Sequence, residues 1–527
     1  MITDVSEELA KSSERVTVLT RFGPVTGRRA TNGTAVFLEI PFALPPARFE
    51  NPVALPLDFR YKDIEYINES CYAAQPMNNG QAAGFSVQDM LGLGSPTENP
   101  LFLNIFIPPS YDLKQESLRF PVKVYIHGGF LQFGSPHGLS AQAQYVAAAR
   151  DEIYVNIGYR LSAFGFLACD SPRIEGNFGF KDQWLALEWI KDNISAFGGD
   201  PENIQLTGLS AGAHSVHQIL HHASCLPEGR KAPFRSAALQ SNAIVMAPKT
   251  PAELRPQFSA LCSALSIDPS SPDALETLKD PVKTPWQAIT SAIDAEKLGA
   301  FGTFRGCLDG DWLAVSPEPM SWQHSGGFAA GLRRVGVESI IVGDLRDEWY
   351  LYALSHPIES PDDIRKNLLR YYPAECTDVL LAMYPPLAKD AKQEDCFEQF
   401  GRILSDMQVH LPVRILYRDL ISSGFPVIRY DIRWTPEQVR QIAKGYVTHG
   451  TDRVIWCYFE PFLSESQRAV ALSWLATIDE ELTKAEKAAG KPLKDVQQVL
   501  TLREDMTIGW EIDRRFDEVM RLLKALT

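Results

Sequence analysis

Strands that alternate with helical patterns along most of the 527-residue chain predict an α/β fold, with a mostly parallel central sheet and helices on both faces. Three observations carry that expectation. Short apolar runs stop abruptly at glycines, as where Pro121-Val-Lys-Val-Tyr-Ile meets His127-Gly128-Gly129. Helical spacing fills the stretches between such runs, most clearly in Trp184, Leu187, Trp189, Ile190 and Ile194 before the stop at Gly198-Gly199. Finally, Gln205 to Gly212 passes from an alternating run through Gly208-x-Ser210-x-Gly212 into Ala213 to His222, which holds neither Gly nor Pro. That order reads as strand, sharp turn, helix.

From the N-terminus, Val16 to Arg28 alternates around Gly23-Pro24 and predicts a hairpin at the sheet's edge. Val36 to Ala43 follows, then the Pro-rich Leu44-Pro-Pro-Ala-Arg-Phe. Met77 to Pro96 is a polar, Gly-rich connection, long enough to be a lid or a surface insertion. Leu101 to Ile107, Pro121 to Ile126, Glu152 to Tyr159, Arg235 to Ser241, Ser339 to Asp344 and Phe425 to Ile432 read as further strands, and Arg453 to Phe459 closes the series. Helical stretches at about 250–300 and 360–418 interrupt the strands, and the chemical motifs fall before, between and after them. One composite unit spanning 1–527, with two helical insertions, is therefore expected.

Composition narrows the function classes. Hydrophobic content of 45% with 22% charged residues fits a globular protein with an ample core. A formal charge of −14, from 51 basic and 65 acidic residues, argues against nonspecific binding to nucleic acid or anionic membranes. No run approaches the roughly 18 apolar residues that a membrane span needs. The polar, acidic start shows no apolar signal-peptide segment, and the eight cysteines are scattered without CxxC pairs. Reduced thiols and a cytoplasmic location are the expectation. No cofactor is implied. His214, His217 and His221 share one face of the helix after Ser210, but no HExxH pattern or carboxylate set accompanies them, so hydrogen bonding within the core is expected rather than metal.

A serine on a strand-to-helix turn lifts its hydroxyl above the sheet at a helix N-terminus, where developing negative charge is favoured. Taken alone, the pattern also fits a Gly-rich turn around a buried serine. Several further blocks recur in a fixed order: Ile40-Pro-Phe-Ala with Pro45-Pro-x-Arg-Phe, Glu98-Asn-Pro-Leu-Phe-Leu-Asn, Tyr159-Arg-Leu, Gly176-Asn-Phe-Gly-Phe-Lys-Asp-Gln, Phe197-Gly-Gly-Asp-Pro and Leu239-Gln-Ser. From Phe37 to about Trp474 the chain resembles the type-B carboxylesterases, the cholinesterase-like branch of the α/β-hydrolase superfamily. The resemblance implies the α/β-hydrolase fold, with Ser210 as nucleophile, Glu348 in Val342-Gly-Asp-Leu-Arg-Asp-Glu as acid, and His449 in His449-Gly-Thr-Asp as base. Serine needs an imidazole to take its proton, and the imidazole needs a carboxylate to fix its tautomer. Asp347 is an alternative acid, and His410, within helical periodicity, is a weaker base. The resemblance also implies two scaffold ion pairs, Arg48 with Glu98 and Arg160 with Asp182.

Four departures stand out. The oxyanion loop, usually His-Gly-Gly-Gly or His-Gly-Gly-Ala, reads His127-Gly128-Gly129-Phe130, so the hole is expected from Gly128, Gly129, Phe130 and Ala211 with a benzyl group where hydrogen or methyl is usual. Pro100 stands where the family has a cysteine partner for one like Cys71, leaving the 77–96 loop without that tie. Leu209 replaces a common glutamate beside the nucleophile, and Trp349 replaces the usual glycine after the acid. The function expected is a serine carboxylic-ester hydrolase working through an acyl-enzyme on a small or aromatic ester. The same triad also serves lactonases, amidases and acyltransferases, and the superfamily includes inactive adhesion proteins. The partner expected is a small-molecule ester, with no nucleic acid and no membrane span. Trp312, Trp322, Phe301 and Phe304 are candidates for an apolar substrate pocket.

Overall fold

The computed structural model describes residues 4–77, 94–112, 119–138, 141–488, 490–491 and 494–526. Its frame is a twelve-stranded sheet whose strands, in chain order, are β1 (Arg15–Thr20), β2 (Gly23–Arg29), β3 (Ala35–Pro41), β4 (Phe102–Ile107), β5 (Phe120–Ile126), β6 (Ile153–Ile157), β7 (Gly199–Leu209), β8 (Ser236–Gln240), β9 (Ser339–Leu345), β10 (Val427–Ile432), β11 (Gln498–Leu502) and β12 (Ile508–Ile512). Across the sheet they lie in the order β1-β2-β3-β4-β6-β5-β7-β8-β9-β10-β11-β12. Pairing is parallel from β6 through β5, β7, β8, β9 and β10 to β11, and antiparallel at both edges. This is the expected α/β architecture.

Central strands read as nearly continuous apolar runs because both faces are covered. Leu239, Ile340 and Val342 face one core, while the intervening Ala238 and Ile341 face the other. The helix Ala211–Ser224 packs on β5, β7 and β8, and the long helix Glu465–Lys487 packs on β9 and β10. Four α-helices fall where the 360–418 stretch was expected to be helical, among them Gln393–Ser405 and Leu411–Ser422. Both scaffold ion pairs are present. Arg48 grips Glu98 through two nitrogens, with Nε to Oε2 at 2.7 Å, and Arg160 forks onto Asp182 at 2.8 and 2.6 Å.

Two expectations differ from the structure. Arg453 to Phe459 is not a strand: Arg453–Trp456 is a short helix, tied where Trp456 Nε1 donates to Asp452 Oδ2 at 2.8 Å and where the Arg453 guanidinium lies 3.8 Å from the Tyr125 ring centre. An unbroken apolar run does not distinguish strand from buried helix. The sheet instead ends in the hairpin β11–β12. The long loop also keeps a tie without a disulfide, because Cys71–Ala73 pairs in parallel with Ser95–Thr97 and Ala74 N donates to Thr97 O at 2.7 Å. The body of that loop, 78–93, lies outside the described residues. All eight cysteines are free thiols.

Candidate active site

Ser210 sits between β7 and the helix Ala211–Ser224 with φ 60° and ψ −124°, a conformation that L-residues seldom hold. What fixes it is backbone crowding. A Cβ on Gly208 would come 2.4 Å from the Gly212 carbonyl, and one on Gly212 would come 2.1 Å from Ile126 O, so both glycines are required. Ser210 N donates to Gln240 O at 2.8 Å, which ties the turn to β8. Ala211 is the first residue of the helix, and its amide lies outside the i→i−4 ladder.

Facing the turn, Gly129, Phe130 and Leu131 all take positive φ (110°, 55° and 66°). A Cβ on Gly129 would lie 2.0 Å from Phe133 O, so that glycine too is forced. The amides of Gly129 and Phe130 donate to no acceptor among the described residues. The loop is braced from behind. Buried Gln132 donates to Phe130 O at 3.0 Å and accepts from Phe304 N at 3.1 Å, while Gln75 exchanges bonds with Gly134 N and O at 2.8 and 3.0 Å. His127 stacks on Tyr159 with ring centres 4.5 Å apart, and burial pushes its imidazole down to about 4, so it stays neutral at ordinary pH.

The carboxylate and the imidazole meet at the C-terminal ends of β9 and β10. Glu348, fully buried, accepts from Leu345 N at 3.0 Å through Oε1 and lies 2.7 Å from His449 Nδ1 through Oε2. His449 Nε2 is buried and has no partner among the described residues. The two loops are stitched together alongside: Asp347 bonds Val447 in both directions, N to O at 2.9 Å and Oδ2 from N at 3.1 Å, and Leu351 N donates to Thr448 Oγ1 at 3.2 Å. Asp347 is thus engaged by Val447 and Arg346, and it is Glu348 that touches His449. Asp452 lies close by. Burial and the Glu348 charge raise its carboxyl to about 6.

Tyr352 joins these parts. Its ring stands edge-on to His449 at 5.2 Å and to Phe130 at 6.0 Å, and it lines the same pocket as Ser210 and Ala211. Phe130 completes one wall, its ring also 6.2 Å from that of Phe133. Sequence reasoning missed Tyr352, Asn242, Arg305 and Gln408, which reach the pocket from four separate segments. The aromatics offered by the sequence lie elsewhere. Trp312 stacks on His222 and Phe180, Phe304 is buried behind the loop, Trp322 Nε1 donates to Ser224 Oγ at 3.2 Å, and Phe301 is exposed.

Of the three helix histidines, His214 lines the pocket beside Ser210, while the other two serve the core. His217 accepts from Ile244 N at 2.9 Å and meets Gln323 at 2.9 Å; His221 stacks on it at 4.9 Å. Among the described residues no cluster of His, Cys, Asp and Glu has a metal-holding arrangement, and no helix is long and apolar enough to cross a membrane.

The Carboxylesterase family model matches residues 14–481. An esterase/lipase of Schizosaccharomyces pombe is 32% identical over 80% of this chain and 79% of its own length. The para-nitrobenzyl esterase of Bacillus subtilis is 30% identical over 80% of this chain and 79% of its own. In fold, a solved PNB esterase superposes with a TM-score of 0.70 at 23% identity, covering 96% of this chain and 99% of that one.

Proposed function

The chain belongs to the carboxylesterase family and is a carboxylic ester hydrolase, and from that premise we propose that it works through a serine acyl-enzyme on small or aromatic esters. The observation that carries this reading is the Glu348–His449 pair with its unpartnered Nε2. A base must offer one nitrogen to the nucleophile while a carboxylate holds the other as N–H.

In the proposed sequence, Ser210 Oγ attacks the ester carbonyl carbon as its proton passes to His449 Nε2. Glu348 Oε2 accepts from Nδ1–H and stabilises the imidazolium. The carbonyl oxygen, now negative, takes hydrogen bonds from the free amides of Gly129 and Phe130 and from that of Ala211, with Gly128 shaping the loop. Collapse expels the alcohol, which leaves with the proton from His449. Water then repeats the steps on the acyl-enzyme and releases the acid. The walls formed by Phe130 and Tyr352 favour short or flat acyl groups.

Two measurements test the reading. A fluorophosphonate should label Ser210, and labelling should vanish in Ser210→Ala. A series of aryl esters from acetate to decanoate should show turnover falling as the acyl chain lengthens; a preference for long chains would sink the small-acyl part. Product analysis with an added alcohol separates hydrolysis from acyl transfer.

A further inference from the structure

Arg305 lines the pocket that holds Ser210, and it is the only Arg, Lys, Asp or Glu to do so among the described residues. Its surroundings give it a fixed place but no counter-charge. The guanidinium carbon lies 5.2 Å from the Tyr371 ring centre, and Nη2 donates to Gln408 Oε1 at 3.0 Å. Gln408 in turn donates through Nε2 to the Tyr372 hydroxyl at 2.6 Å, so its oxygen is aimed at the guanidinium. Nε is buried and bonds to nothing, and no carboxylate among the described residues forms an ion pair with the group. A guanidinium has five N–H donors. Here one of them has a partner.

The charge is felt across the site. Together with burial it helps hold His214 neutral, and it acts on the Tyr352 hydroxyl. A half-buried cation without a counter-ion is unfavourable until an anion arrives, and guanidinium forks match carboxylates in shape as well as charge.

Resting on the acyl-enzyme reading above, we propose that Arg305 receives a carboxylate carried by the ester, so that the preferred substrate is an acidic ester bound with its anion on Arg305 and its carbonyl on Ser210. The carboxylate belongs either to the acyl part, as in a half-ester of a short dicarboxylic acid, or to the alcohol part, as in the ester of a hydroxy acid. The negative charge of the whole protein does not oppose this, since the local field in the pocket is set by the lining group and the low-dielectric walls.

The experiment compares charged esters with neutral isosteres in native enzyme and in Arg305→Gln and Arg305→Lys. Monoethyl succinate is set against ethyl 4-methylpentanoate for the acyl arm, and 3-acetoxybenzoate against 3-isopropylphenyl acetate for the alcohol arm. The quantity read is the charged-to-neutral ratio of kcat/KM, which a general loss of folding or catalysis leaves unmoved. In one arm the native ratio should exceed that of Arg305→Gln by roughly 10- to 100-fold, the worth of a charge-assisted hydrogen bond. Arg305→Lys should recover part of it, and raised salt should reduce it. Equal ratios in native and Arg305→Gln enzyme in both arms would overturn the proposal while leaving ester hydrolysis intact. Should Arg305→Gln not fold, a native enzyme that prefers neither charged ester overturns it equally. Failure to label Ser210, with no ester turned over, would instead bring down the acyl-enzyme reading and this proposal with it.

Discussion

Two histidine–carboxylate pairs lie at the end of the same strand, and they differ in what surrounds them. Glu348 to His449 measures 2.7 Å and Asp344 to His410 measures 2.8 Å, and all four residues are buried. Asp344, however, also accepts from Arg414 Nη1 at 2.8 Å, and Arg414 bonds Asp513, which bonds Arg429 at 2.6 Å. Burial opposes the Asp344 charge, but Arg414 and His410 outweigh it and hold the carboxyl well below its usual range. Among the described residues Glu348 forms no ion pair with Lys or Arg, and its partner is His449. Pair geometry alone therefore does not make a base. The difference lies in a buried Nε2 without a partner among the described residues on one side, and a carboxylate already bonded to an arginine on the other.

The contrast is sharpest in activity. If the proposed acyl-enzyme route holds, His449→Ala should lower kcat by roughly ten-thousand- to a million-fold while the melting temperature barely moves, because members of a serine triad act as a unit. On the same proposed route Glu348→Gln comes next, at about ten-thousand-fold or somewhat less, since the wrong tautomer would then be offered to the serine. Steady-state kinetics beside thermal melts separate both from a folding defect. For the other pair the signature reverses. Arg414→Leu takes one buried cationic partner from both Asp344 and Asp513 and should destabilise the fold by about 3–5 kcal/mol, read by denaturant unfolding, with kcat of the surviving folded fraction within about tenfold of native. Loss of turnover without loss of stability in His410→Ala would break the distinction.

How much of this the sequence disclosed depends on the range of the signal. Buried parallel strands announce themselves as apolar runs cut off by glycine, and Gly208, Gly212 and Gly129 are demanded by backbone contacts that also leave a local pattern. Ser210, Glu348 and His449 stand out through their neighbours in the chain. Arg305, Asn242, Gln408 and Tyr352 do not. Each occupies an ordinary stretch and acquires a role only when a separate segment of the chain folds against Ser210. The hairpin at Gln498–Leu502 and Ile508–Ile512 carries alternation, yet it lies past the family motifs, whereas Arg453–Trp456 shows an apolar run that tertiary contacts turn into helix.

A third histidine extends the comparison. His137 sits between Glu39 at 3.0 Å and Glu69 at 3.4 Å, wholly buried at the side chain. Burial disfavours its charge, but hydrogen bonds and the charges of both carboxylates raise it to about 9. A folded-state value above the usual 6.5 means that its stabilisation is fully present below about pH 6.5 and is lost as pH climbs through about 9. Unfolding free energy should accordingly fall by up to about 3 kcal/mol between pH 6.5 and 9.5. His137→Gln should flatten that slope, and an unchanged slope would show that the stabilisation comes from elsewhere.

The smallest expected effect concerns the wall of the pocket rather than its charges. Phe130 holds φ 55°, and its ring is wedged between Phe133 and Tyr352. Phe130→Gly would suit the left-handed backbone while removing the benzyl group, so the amide proposed to bind the oxyanion should survive. The freed volume lies beside the pocket, where each added methylene of an acyl chain is worth about 0.8 kcal/mol when buried. Turnover of octanoate relative to acetate esters should then rise by roughly tenfold, a shift that two such methylenes supply. The His449–Glu348 geometry does not depend on Phe130, so acetate turnover gives the control: a fall of more than about a hundredfold would mean that the ring also holds the oxyanion loop in register, since that is the loss expected when an oxyanion donor is misplaced.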